Sequence, residues 1–108
     1  MKILFDASTP APLMRYLHGH KVTRARQLGW HMLVNGKLLD AAEKAGFDAL
    51  ITCDQSIPYQ QNFASRRIAV VALTTNHWPT LQKVAPRVAT AVDFVQRGTV
   101  ITIDVALM

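Results

Sequence analysis

The sequence predicts an α/β fold, a three-layer α/β/α sandwich around a mainly parallel central sheet. Two observations predict it. Residues 2–5, 49–52 and 68–73 are apolar runs that continue without alternating, the pattern of strands covered on both faces. Between such runs lie amphipathic helical patterns, and strands that alternate with helices call for parallel pairing through right-handed crossovers.

In chain order, Ile3-Leu4-Phe5 forms the body of the first strand, which stops abruptly on Asp6. Residues 11–18 read as a short helix with Pro12 at its start, and 20–24 as a further strand. From Asn35, residues Leu38, Leu39, Ala42 and Ala45 fall on one helical stripe. Lys37, Asp40, Glu43 and Lys44 lie elsewhere, and Gly46 stands where a helix C-terminus favours glycine. Ala49-Leu50-Ile51-Thr52 is the next strand and Ile68 to Leu73 the one after it. Leu81, Val84, Ala85, Val88, Val92 and Val95 form a second stripe, opened by Pro79 and interrupted at Pro86, where a kink or a restart is expected. Residues 99–105 alternate, as suits an edge strand.

The chain has 108 residues, half of them hydrophobic, enough for one core and one domain spanning 1–108. Its apolar runs fall well short of the ~18 residues a membrane span needs, and its first residues lack a signal-peptide layout, so a cytoplasmic protein is expected. The lone Cys53 forms no intramolecular disulfide and reads as a small strand-end hydrophobe. A net charge of +5 tilts the expected partner toward an anion, nucleic acid first.

Asp6 and Asp54 each follow the carboxyl end of a predicted central strand, the rim where open parallel sheets bind ligands. Two carboxylates in one crevice repel, and a divalent cation or a shared proton relieves them. Oxygen ligands of this kind suit Mg²⁺ or Mn²⁺, with Ser8, Ser56 and Asn35 orienting bound water. Either Asp alone reads more simply as a turn or helix cap; the pair on one rim reads as a site. Asp40 is expected to pair with Lys44, and Asn35 to cap its helix, serve the rim, or both. The pairs Arg24/Arg26 and Arg66/Arg67 could hold phosphates or simply be solvated. Tyr59-Gln60-Gln61-Asn62 could present amides to a ligand or to water. His18, His20, His31 and His77 lack metal-binding spacing, and Trp30 and Trp78 suit packing.

The segments Met-Lys-Ile-Leu-Phe-Asp at the start, Gly19-His20, Leu28-Gly29-Trp30, Asn35-Gly36-Lys37-Leu38-Leu39, Gly46 to Asp54 and Tyr59 to Asn62 together resemble a compact family of PIN-like bacterial proteins. Members of that family are expected to be toxin nucleases of toxin–antitoxin systems. The resemblance implies a PIN-like α/β/α fold and Mg²⁺- or Mn²⁺-dependent hydrolysis of single-stranded RNA. Asp6 and Asp54 would be the catalytic and metal-holding acids. Ser8, Asn35, Ser56, Gln61 and Asn62 would position water or substrate, and Arg24, Arg26, Arg66 and Arg67 the RNA. A cognate antitoxin and a homodimer are the protein partners implied. Three positions depart from that pattern: Ala7, Asn35 and Ser56 stand where relatives commonly carry acids. These departures add weight to an alternative, a PIN-like module that binds RNA or protein without cutting, although a neutral amide or hydroxyl can still hold a metal-bound water and the nuclease remains the first expectation. A third reading is a receiver-like phospho-acceptor domain, suggested by Asp54, Pro58 and Thr74-Thr75. It is opposed by the single acid after the first strand and by the absence of lysine beyond Lys83.

Overall fold

A computed structural model describes residues 1–60 and 65–108, apart from the side chains of Asn35, Tyr59 and Gln60. It has five strands, β1 (Lys2–Phe5), β2 (Lys21–Arg24), β3 (Ala49–Thr52), β4 (Ala69–Leu73) and β5 (Val100–Ile103). They form one sheet in the order β2-β1-β3-β4-β5, and every ladder in it is parallel.

Helices cover both faces, so the three-layer α/β/α sandwich expected from the sequence is the architecture observed. Among the described residues three short 3₁₀ segments (Ala11–Tyr16, Ala25–Leu28 and Val105–Leu107) and four α-helices, α1 (Asn35–Lys44), α2 (Ile57–Gln60), α3 (Trp78–Gln82) and α4 (Ala85–Asp93), surround the sheet. On one face Leu13, Leu17, Leu81, Val88 and Val92 pack on Ile3, Phe5, Ile51 and Val71. On the other Ala25, Leu38, Leu39, Ala42 and Ile57 pack on Leu4, Leu50 and Val70. Successive strand residues feed opposite cores, which is why the central runs contain no polar alternation.

Two helical expectations change in detail. Residues 11–16 form a 3₁₀ helix, with Leu13 N–H donating to the Pro10 carbonyl at 3.2 Å and Leu17 N–H to the Met14 carbonyl at 3.2 Å. Pro12 has no amide to give, and so short a segment gains little from the longer α-type ring. The stripe through Pro86 is two helices. Val84, at φ −119 and ψ 9, breaks the first, and Pro86 sits in the first turn of α4 where a missing amide costs nothing. Ala45, expected on the buried stripe of α1, is exposed because the helix ends at Lys44. Among the described residues no helix is long and apolar enough to cross a membrane.

Candidate functional site

Strand order reverses around β1, so the crevice of this sheet lies between the carboxyl ends of β1 and β3. The register sets Phe5 beside Ile51 and therefore brings the residues that follow, Asp6 on one strand and Thr52 to Asp54 on the other, to the same rim. Asp6 and Asp54 line one cleft of about 180 Å³. Its other walls are largely apolar: Trp30, Leu33, Val34, Leu38 and Ile57.

The two acids have different surroundings. Asp6 Oδ1 accepts from the Ser8 amide at 3.1 Å, from Ser8 Oγ at 2.7 Å and from Thr9 Oγ1 at 2.9 Å. Thr52 Oγ1, fully buried, donates to Asp6 Oδ2. The same hydroxyls then serve the neighbouring strand. Ser8 Oγ accepts the Cys53 amide at 3.0 Å, Thr52 Oγ1 accepts the Asp54 amide at 2.9 Å, and Thr9 Oγ1 lies 2.8 Å from the Ile51 carbonyl oxygen. Asp6 is thus the acceptor at the centre of a polar clasp that ties the ends of β1 and β3. Asp54 is exposed, and its Oδ1 accepts the Ser56 amide at 2.9 Å and Ser56 Oγ at 2.6 Å. Both acids therefore close an Asp-x-Ser turn. Asp54 is the more open of the two, Asp6 being half-buried.

Cys53 lies inside the clasp. Burial first, and the Asp6 charge second, push its thiol up to about 11, which keeps it protonated and a poor nucleophile at neutral pH.

The expectation of Mg²⁺ or Mn²⁺ is corrected by this geometry. Among the described residues no group of three or more His, Cys, Asp or Glu side chains could hold a metal ion. The physical reason is local: both Asp6 oxygens already accept protein donors, Asp54 stands apart from any third acid, and Ala7 and Ser56 add no charge. A hard divalent cation binds through several oxygens that are free to face it.

The remaining candidate residues divide between the two ends of the sheet. Arg24, the last residue of β2, and exposed Arg26 lie at the carboxyl rim with Ser8 and Ser56. Asn35 opens α1 at that rim. Arg66 and Arg67 precede β4 and therefore lie at the amino rim, at the other end of the strands from the cleft. There Arg66 Nη1 bonds Asp40 at 2.8 Å and Glu43 at 2.7 Å, and the Arg67 amide donates to Glu43 at 3.1 Å. Asp40, expected to pair with Lys44, is thus held by Arg66. Gln61 and Asn62 lie outside the described residues. Sequence reasoning passed over Thr9 and Thr52, whose hydroxyls complete the clasp. Trp30, expected to pack in the core or at the rim, does so at the rim: it walls the cleft and meets Phe47 edge-on, ring centroids 6.1 Å apart.

No protein-family model, curated protein or solved structure matches the chain. The architecture is of a PIN-like or similar Rossmann-type α/β kind, one that hosts many functions. Its strand order is also that of flavodoxin-like and receiver domains. Two contacts weigh against the receiver reading. Thr74 Oγ1, at the end of β4, accepts the Val105 amide at 2.9 Å. Asp104 follows β5 where a lysine would be needed, and its carboxylate accepts the Ala106 amide at 3.1 Å.

Proposed function

We propose that the chain is a PIN-like module that binds without cutting, and that its rim cleft seats a basic, partly apolar segment of a partner protein, of the antitoxin kind the family resemblance suggests. The observation that carries this reading is the surface leading into the cleft. Leu28, Met32 and Val34 are 41%, 79% and 63% exposed, so three large hydrophobics face water within one seven-residue stretch.

Size and charge support a protein segment over a nucleotide. Pockets that enclose small ligands usually measure about 300 to 1,000 Å³. At about 180 Å³ this one suits a single side chain. Its most exposed acid is Asp54, whose carboxylate attracts lysine or arginine and repels a phosphodiester that comes without a cation. Arg66 is engaged by two acids at the far rim, and Arg24 and Arg26, the arginines of the carboxyl rim, are not among the described residues that line the cleft.

The test has two arms. Single-stranded RNA incubated with the protein and Mn²⁺ stays intact, and a synthetic peptide alternating arginine and leucine shifts the amide NMR signals of residues 30–34 and 54–57. Asp54→Lys removes those shifts while the remaining spectrum keeps its dispersion. Mn²⁺-dependent loss of RNA with the wild type, absent with Asp54→Asn, overturns the proposal.

A further inference from the structure

The two edges of the sheet are built differently. β2, at one edge, carries Lys21 and Arg24, charges of the kind that discourage pairing with another chain. β5, at the other, reads Val100-Ile101-Thr102-Ile103, with neither charge nor proline. The carbonyls of Thr99 and Ile103 accept the amides of Val70 and Thr74. Bonding sides alternate along a parallel strand, so the amides and carbonyls of Val100 and Thr102 face away from β4. Among the described residues no strand pairs with them.

An apolar surface adjoins this open edge. The end of α4 and the turn after it leave an open groove of about 350 Å³ lined by Ala91, Val95 and Ile101, with Phe94 beside it 79% exposed. The flanks of the strand carry opposite charges, Arg97 before its amino end, 72% exposed although it also bonds Asp48 at 2.6 Å, and exposed Asp104 after its carboxyl end. Antiparallel pairing of two identical strands brings Asp104 of each copy near the Arg97 turn of the other. Parallel pairing would align like with like.

We propose that the chain forms a two-fold dimer in which β5 pairs antiparallel with β5 of a second copy, making one ten-stranded sheet and covering both α4 grooves. With the axis at Ile101, Val100 of one copy and Thr102 of the other exchange main-chain hydrogen bonds through the groups that β4 leaves free. The two Ile101 side chains meet on the α4 face and join the grooves into one apolar patch, over which the Phe94 rings close. Such an interface is isologous and uses up the exposed edge, so assembly stops at two. It is independent of the carboxyl-rim cleft, and a failure of either proposal leaves the other standing.

Sedimentation equilibrium from micromolar to millimolar protein tests it. The wild type is expected at twice the 12.0 kDa chain mass. Thr102→Pro deletes an amide that β4 does not use, as edge strands tolerate, and Phe94→Glu places a charge in the patch at an exposed position. Both are expected at the single-chain mass with the wild-type far-UV circular dichroism, while Thr102→Ser remains dimeric. A wild type that stays at the single-chain mass at millimolar concentration overturns the proposal, as does a Phe94→Glu variant that stays dimeric. If Thr102→Pro fails to fold, Phe94→Glu decides alone.

Discussion

Asp6 and Asp54 occupy matching positions at the ends of neighbouring strands, and their surroundings give them different work. Asp6 accepts four donors from Ser8, Thr9 and Thr52. An asparagine keeps an oxygen for the three donors at Oδ1 but sets an NH2 where Oδ2 accepts the buried Thr52 hydroxyl, which already accepts the Asp54 amide, and it loses the charge that strengthens all four bonds. Asp6→Asn is therefore expected to lower the unfolding free energy by about 1 to 3 kcal/mol. Asp54→Asn, at an exposed turn, should change it by no more than about 0.5 kcal/mol. Urea midpoints of the two variants check this, and equal losses would refute the clasp. Cys53 gives a second expectation. Its thiol ionises more readily unfolded than folded, so the stability it contributes is complete below the unfolded pKa and is lost as pH rises toward the folded value of about 11. Disulfide-exchange reagents at neutral pH should label it slowly in the native protein and rapidly in urea. The repeated pattern of an acid followed two residues later by serine was legible in the sequence, and so was the shared rim. That the Thr52 hydroxyl would turn onto Asp6 was not, because that contact depends on the β1–β3 register across more than forty residues of chain, whereas Thr9, three residues from Asp6, makes a local contact that was simply passed over.

At the scale of elements, the continuous apolar runs marked β1, β3 and β4 because strands buried on both faces leave no polar residue for alternation to reveal. The edge strand β5 announced itself by the opposite pattern. The 3₁₀ segment Ala25–Leu28 and the single turn of α2 were not legible, being too short for any periodicity. The turn before β5 offers a sharp test. Gly98 has φ +75, and a Cβ there would lie 2.9 Å from the Arg66 carbonyl oxygen, a backbone atom that cannot swing aside. Gly98→Ala is expected to cost more than Gly19→Ala, by about 1 kcal/mol or more, since a Cβ at Gly19 meets nothing within 4 Å at a similar φ of +82. Thermal melts of both variants decide it. The amino rim supplies an acid-dependent contribution. Burial alone would raise the pKa of Glu43, but hydrogen bonds from the Arg66 side chain and the Arg67 amide outweigh it and hold the pKa low. The Lys2 amide first, then Arg97, lowers Asp48 against its own burial. Both groups bind fewer protons folded than unfolded, so their support is present above the ordinary carboxylate range and disappears as pH falls through it. Glu43→Gln should flatten the acid limb of a stability–pH curve.

For the whole molecule, the missing third acid predicts the response to metal. A ligand that binds only the native state raises the melting temperature through RT ln(1 + [L]/Kd). With no suitable donor set among the described residues, millimolar Mg²⁺ or Mn²⁺ should leave the melting temperature unchanged; a rise of several degrees, lost in Asp54→Asn, would contradict the assignment. The layered architecture was legible in outline, whereas the consequence of neutral Ala7 and Ser56 for the rim became clear only once Asp6 was seen to be occupied. Parallel pairing also constrains how the chain is made. β1 leaves the ribosome before β3, which pairs with it and begins only at Ala49, and at about 5 to 20 residues per second the intervening segment takes roughly 2 to 10 s to synthesise. Until then Ile3, Leu4 and Phe5 have an uncovered flank. A nascent chain arrested before residue 49 should therefore be bound by a chaperone that recognises exposed apolar segments, and a chain released with all five strands should not.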